Sequence, residues 1–180
     1  MNGSGTSMLA DCLGQHPDLF AAYMETKILP YLLLNAHRYG DLNENENFLK
    51  LWLAVLDIPV MTQINGWVPL RLPKNWKEFP RNPPSVIDAV FRSIALNNNK
   101  HRWAEKTPHY VQHLELLGSS FSRAKFVHFV RDGRDCAASF QRRWRRTPEY
   151  SIYRWKRVLA EGRLQSKNLG DRYFELSYED

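Results

Sequence analysis

Lys125-Phe126-Val127-His128-Phe129-Val130 is a short, mostly apolar run that stops at Arg131-Asp132-Gly133-Arg134, and a helical stretch follows from Asp135. A run this short, closed by a turn and followed at once by a helix, reads as a buried strand with a helical crossover behind it. Crossovers of that kind cover both faces of a sheet and make its strands parallel. The rest of the chain keeps the same alternation. Helical stretches are expected over 7–13, 25–37, 44–56, 85–96, 108–117, 135–144 and 148–166, and a further strand over 172–176. The third carries Phe48, Leu51, Trp52 and Val55 at spacings of three and four, and the fourth repeats the stripe with Val86, Ile87, Val90, Phe91 and Ile94. Residues 57–84 hold Pro59, Pro69, Pro73, Pro80, Pro83 and Pro84 with Trp67 and Trp76, which predicts a long loop or lid. The pattern as a whole predicts an α/β protein with a mostly parallel sheet.

Length and composition narrow the class. A chain of 180 residues supports one domain, and 43% hydrophobic with 13% aromatic residues excludes disorder over most of it. The apolar run from Ile28 to Leu34 is too short to span a bilayer and is broken by Pro30, so no membrane span is expected. No export signal is evident, and Cys12 and Cys136 are too few for a disulfide scaffold. Both read as small buried residues in a reducing compartment, so a cytoplasmic location is expected. The formal charge of +6 suits an anionic partner. Arg131 to Arg157 is the richest basic stretch, with Asp132, Asp135 and Glu149 as its acids.

Two segments carry anion-binding chemistry. Gly3-Ser4-Gly5-Thr6-Ser7 joins small residues to a helix start, where converging N–H groups and the helix dipole favour phosphate. An ordinary Gly/Ser-rich terminus is the competing reading. No Lys follows the second Gly, so the loop is not a Walker A motif. Arg131 and Arg134 stand where ligands bind in open α/β sheets, and Arg can grip phosphate bidentately. Ser139, eight residues after Arg131, can add a hydroxyl. Arg131 paired with Asp132 or Asp135 in a structural network is the alternative. His109 and His113 sit four apart without a third ligand, so no metal is expected. Arg142-Arg143-Trp144-Arg145-Arg146 reads as a solvated helix end, so no nucleic acid is expected.

Taken together, these motifs resemble the sulfotransferases that use 3′-phosphoadenosine 5′-phosphosulfate (PAPS), with the closest likeness to the tyrosylprotein-type and related bacterial members. The resemblance rests on Ser4-Gly5-Thr6-Ser7, His16-Pro17-Asp18, Glu25-Thr26-Lys27-Ile28-Leu29-Pro30, Lys106-Thr107-Pro108, Lys125 to Arg134 and Tyr178-Glu179-Asp180, and is thinnest over 38–100. It implies a three-layer fold like that of P-loop nucleotide kinases: a mostly parallel central sheet with helices on both faces. It further implies that Ser4, Gly5, Thr6 and Ser7 hold the 5′-phosphosulfate, that Arg131 and Ser139 hold the 3′-phosphate, and that Tyr178 lies near the nucleotide. By the same likeness Glu25 is the general base and Lys106 assists the leaving group. The acceptor would be a hydroxyl on a small molecule, a carbohydrate or a protein tyrosine. No feature sets an oligomeric state.

Two departures accompany the likeness. Relatives carry Arg or Lys where this chain has Gly3, so Gly3→Arg is expected to raise transfer. Relatives also enter the loop from an apolar strand, and only Met1 and Asn2 precede Gly3. The expectation is therefore one sulfotransferase domain over 1–180, truncated at both ends and lacking its first strand. A catalytically impaired relative that binds nucleotide, or serves as an interaction module, is the alternative function. A P-loop kinase is the third reading, disfavoured by the absent Walker Lys.

Overall fold

The computed structural model describes residues 3–180. It is a mixed helix and strand chain that divides into two compact units, one of Met1–Leu9 with Thr107–Asp180 and one of Ala10–Lys106. Helix α1, Thr6–Gly14, begins in the first and ends in the second. The positions ahead of Gly3, where a loop-entering strand is expected from the resemblance, lie outside the described residues.

The unit of Ala10–Lys106 is built on α3 (Asn45–Leu56) packed against α5 (Pro83–Asn97). Their apolar stripes fall at helical spacing, so Phe48, Leu51, Trp52 and Val55 meet Val86, Ile87, Val90, Phe91 and Ile94 in a fully buried core. Asn82 caps α5 by accepting from the Ser85 N–H at 3.0 Å, while Pro83 and Pro84 open its first turn. Around this pair lie α2 (Leu29–Leu34) and α4 (Pro59–Ile64). Strands β1 (Leu19–Ala21) and β2 (Arg102–Ala104) pair in parallel, Phe20 opposite Trp103. Trp103 stacks on Phe91 with centroids 4.4 Å apart, joining β2 to the helical core.

In the other unit, a 3-10 turn at Pro108–His113 leads into α6 (Leu114–Ser120) and β3 (Phe126–Val130). Then come α7 (Gly133–Trp144), α8 (Pro148–Gln165) and β4 (Tyr173–Ser177). β3 and β4 pair in parallel, His128 opposite Glu175. Val111, Leu114, Cys136, Phe140, Val158 and Leu169 form the core, with Phe126, Trp155 and Tyr173 against it. The α/β class with parallel pairing is as expected, and among the described residues the strands pair in twos.

Local expectations changed in four places. The helix expected over 25–37 is confined to Leu29–Leu34 and a 3-10 turn at Ala36–Tyr39. Pro30 stands in the first turn of α2, where its missing N–H costs nothing, and Lys27 just ahead is left-handed at φ 57°, a conformation that breaks a helix. The irregular 57–84 segment contains α4 and a 3-10 turn at Trp76–Glu78. Residues 108–113 are 3-10 rather than α. Cys136 is buried as expected, but Cys12 is exposed on α1. Among the described residues no helix is long and apolar enough to cross a membrane.

Candidate functional site

In the unit that contains β3 and β4, the loop at Gly3–Ser7 lies against residues from the far end of the sequence. Gly3 and Gly5 both have φ of 86°, a left-handed geometry that Gly adopts without cost. That alternation turns the backbone into α1, whose first turn closes with the Leu9 N–H donating to the Gly5 carbonyl at 3.1 Å. Glycine is also required for space. A Cβ on Gly5 would stand 2.6 Å from Tyr178 Cδ2 and 3.2 Å from Phe129 Cε1, and one on Gly3 would stand 3.2 Å from Ser139 Oγ. Ser4 is 2% exposed and Ser139 is also buried, whereas Ser7 opens to solvent.

Arg131 follows β3 directly. Its guanidinium lies over the Tyr178 ring, 4.3 Å from the centroid, and Nη2 reaches Asp135 Oδ2 at 3.1 Å. Its side chain is 25% exposed, yet Nε is buried with no hydrogen-bond partner. The sequence alternatives divide here. Arg131 does pair with Asp135, one helical turn along α7, while Asp132 bonds to Arg134 instead. Asp132 caps α7 by accepting from the Arg134 N–H at 2.8 Å, and the Arg134 side chain donates to the same carboxylate. Those bonds hold the Asp132 carboxyl down at about 2. Arg134 itself points to solvent, 89% exposed.

The turn is tied down on several sides. Tyr178 N–H donates to the Val130 carbonyl at 2.8 Å, and Glu179 accepts from the Asp132 N–H at 2.8 Å. Trp155 Nε1–H donates to the Arg131 carbonyl at 2.9 Å. Cys136, one turn into α7, has its thiol pushed up to about 11 by burial, so it is a packing group rather than a nucleophile.

Glu25 and Lys106 come together in the other unit. Lys106 Nζ lies 3.7 Å from Glu25 Oε1, and Lys27 Nζ lies 3.5 Å from Glu25 Oε2. Lys106 is 15% exposed and Glu25 26%. The Glu105 carboxylate, a sequence candidate for pairing with Lys106, instead accepts from Thr26 N–H at 3.1 Å and Thr26 Oγ1 at 2.8 Å. Glu105 thereby fastens the Glu25-Thr26-Lys27 segment to the residue after β2. A partly buried carboxylate flanked by two ammonium groups can accept a proton, and either ammonium can stabilise a developing negative charge.

The sequence-derived residues thus fall into two sets: the 3–7 loop, Arg131, Ser139 and Tyr178 in one unit, and Glu25 with Lys106 in the other. Glu105 and Trp155 were not legible beforehand as partners of these residues, because each acts on a segment 79 or 24 positions away. Asp135, by contrast, is expected from sequence as a partner of Arg131, and Glu179 lies in the Tyr178-Glu179-Asp180 motif. His109 and His113 lie with ring centroids 5.8 Å apart, and among the described residues no group of three or more His, Cys, Asp or Glu could hold a metal.

A family model described as Sulfotransferase family matches residues 1–180. The chain belongs to the sulfotransferase family, and sulfuryl transfer is the general chemistry of that class. No curated protein and no solved structure matches it.

Proposed function

We propose that this protein transfers a sulfuryl group from PAPS to an acceptor hydroxyl. The observation that carries the proposal is the cluster of Gly3–Ser7, Ser139, Tyr178 and an Arg131 whose buried Nε has no partner. A small-residue loop at a helix start and an arginine with spare donors suit the two anionic ends of such a nucleotide. In this reading Ser4, Gly5, Thr6 and Ser7 bind the 5′-phosphosulfate, Arg131 and Ser139 bind the 3′-phosphate, and Tyr178 supports Arg131 beside the nucleotide. The three-layer arrangement of P-loop nucleotide kinases belongs to the same proposal.

Glu25 would take the proton from the acceptor hydroxyl as its oxygen bonds to sulfur. The bond from sulfur to the bridging phosphate oxygen would break, and Lys106 would stabilise the charge left on that oxygen. Electrostatics and positioning dominate transfers of this kind, and in this reading Glu25 and Lys106 supply them without a metal. The acceptor is a hydroxyl on a small molecule, a carbohydrate or a protein tyrosine.

Calorimetric titration with 3′,5′-adenosine bisphosphate tests the nucleotide half of the proposal. Micromolar binding is expected, weakened at least tenfold in Arg131→Ala, and an absence of binding to the wild-type chain overturns the reading. Transfer to a generic phenol tests the chemical half. Glu25→Gln is expected to lower turnover roughly 10²- to 10⁴-fold with nucleotide affinity unchanged.

A further inference from the structure

Trp155 is the one indole that reaches the turn after β3 among the hydrogen bonds described there. It stands on α8, and its Nε1–H donates to the Arg131 carbonyl at 2.9 Å. The ring is packed against the start of α7: a Cβ on Gly133 would lie 3.0 Å from both Cδ2 and Cε3 of the indole. Gly133 is buried, and its missing side chain leaves the room that the ring occupies. The bond and the packing act on the same three residues, Arg131 to Gly133.

Arg131 needs such a constraint. Tyr178 and Glu179 fix the peptide groups on either side of it, through Val130 O and Asp132 N–H. The Asp132 N–H and the Arg131 carbonyl are the two polar edges of one planar peptide group, so Glu179 and Trp155 hold that plane from opposite sides. The Arg131 side chain leaves the backbone beside that plane, lies over the Tyr178 ring and buries its Nε without a partner, so fixing the plane at both edges restricts where the guanidinium can stand. Trp155 holds the carbonyl edge of that plane, the edge nearer to the Arg131 Cα.

We infer that Trp155 is a positioning residue for Arg131, aiming its guanidinium at the 3′-phosphate of the nucleotide, with Gly133 as the cleft that admits the indole. The inference rests on the nucleotide reading above. It makes a narrower claim: Trp155 contributes to recognition of the 3′-phosphate and not to the 5′ end, which belongs to the 3–7 loop.

The test compares 3′,5′-adenosine bisphosphate with adenosine 5′-monophosphate, which lacks the 3′-phosphate, by calorimetry on the full chain. Trp155→Phe keeps an aromatic ring and removes the N–H. The bisphosphate is expected to bind about 3- to 10-fold more weakly, the range for one lost hydrogen bond, while the monophosphate binds as before. Gly133→Ala should give the same selective loss by crowding the ring, without deleting any of it. Far-UV circular dichroism identifies a variant that does not fold, in which case the other variant decides. Equal losses for the two nucleotides would mean general loosening and overturn the inference, as would unchanged discrimination in both folded variants. A wild-type chain that does not prefer the bisphosphate overturns the 3′-phosphate assignment itself, which separates that failure from this one.

Discussion

Gly5 lacks a side chain for two reasons that can be measured apart. Its φ of 86° penalises any L side chain by about 1–2 kcal/mol, and the Tyr178 ring fills the space where a Cβ would go. Gly5→Ala should lower stability by at least that amount in urea titrations and weaken binding of 3′,5′-adenosine bisphosphate tenfold or more; intact affinity would separate the loop from the nucleotide. Gly3 has the same φ and lies against Ser139, which revises the expectation from sequence that Gly3→Arg simply restores a missing cation. An arginine there meets left-handed strain and a buried neighbour, so lost stability is the expected result. His128 provides the residue-scale pH signal. Burial holds its imidazole down at about 4, against 6.5 for the unperturbed group, with Tyr173 Oη 2.6 Å from Nδ1 and Glu175 and Arg163 nearby. The native pKa is the lower of the two, so the unfolded chain takes up the proton first as pH falls. Stability is complete above about 6.5 and declines toward 4, by at most about 3 kcal/mol. Thermal melts across that range should show the decline, with His113, also lowered chiefly by burial, adding in the same direction. His128→Asn should flatten the slope.

At the scale of elements, α8 is held against β3 by an absence. A Cβ on Gly162 would run into Val111 Cγ2 and come within 3.1 Å of His128 Cε1, both in the buried interior. Gly162→Ala improves intrinsic helix propensity yet overpacks this seam, and a net loss of about 1–3 kcal/mol in denaturant midpoint experiments is expected. Unchanged or increased stability would show that the seam can open without cost. No periodicity marks Gly162 as a contact point, which illustrates where sequence reading reaches its limit. Helices α3 and α5 were legible because their apolar residues recur with the helical period and become a fully buried core. β3 was legible because five residues of strand run into a charged turn. β1 and β2 were not, since three residues each are too few to show a period and pair only through distant partners. The 3–7 loop, Arg131, Ser139, Glu25 and Lys106 stood out as motifs. The contacts that orient them, from Tyr178 onto Gly5, Trp155 onto Arg131 and Glu105 onto Thr26, depend on which segments the fold brings together.

For the molecule as a whole, the surplus of 25 Lys and Arg over 19 Asp and Glu is a long-range attraction for anions. The candidate anion cluster is unusual in where its parts arise along the chain. Gly5 touches Tyr178, so one contact of the cluster closes a separation of 173 residues, 178 less 5. Local helices form early, whereas contacts of that span must wait for most of the chain's entropy loss. After dilution from denaturant, helical circular dichroism should therefore recover before the ability to bind 3′,5′-adenosine bisphosphate; recovery of both with one rate constant would contradict this. The same topology bears on synthesis. On the ribosome the Gly-Ser loop emerges 173 residues ahead of Tyr178, so over that stretch of translation it lacks the ring it packs against, and any ligand that needs both cannot assist folding before Tyr178 is made.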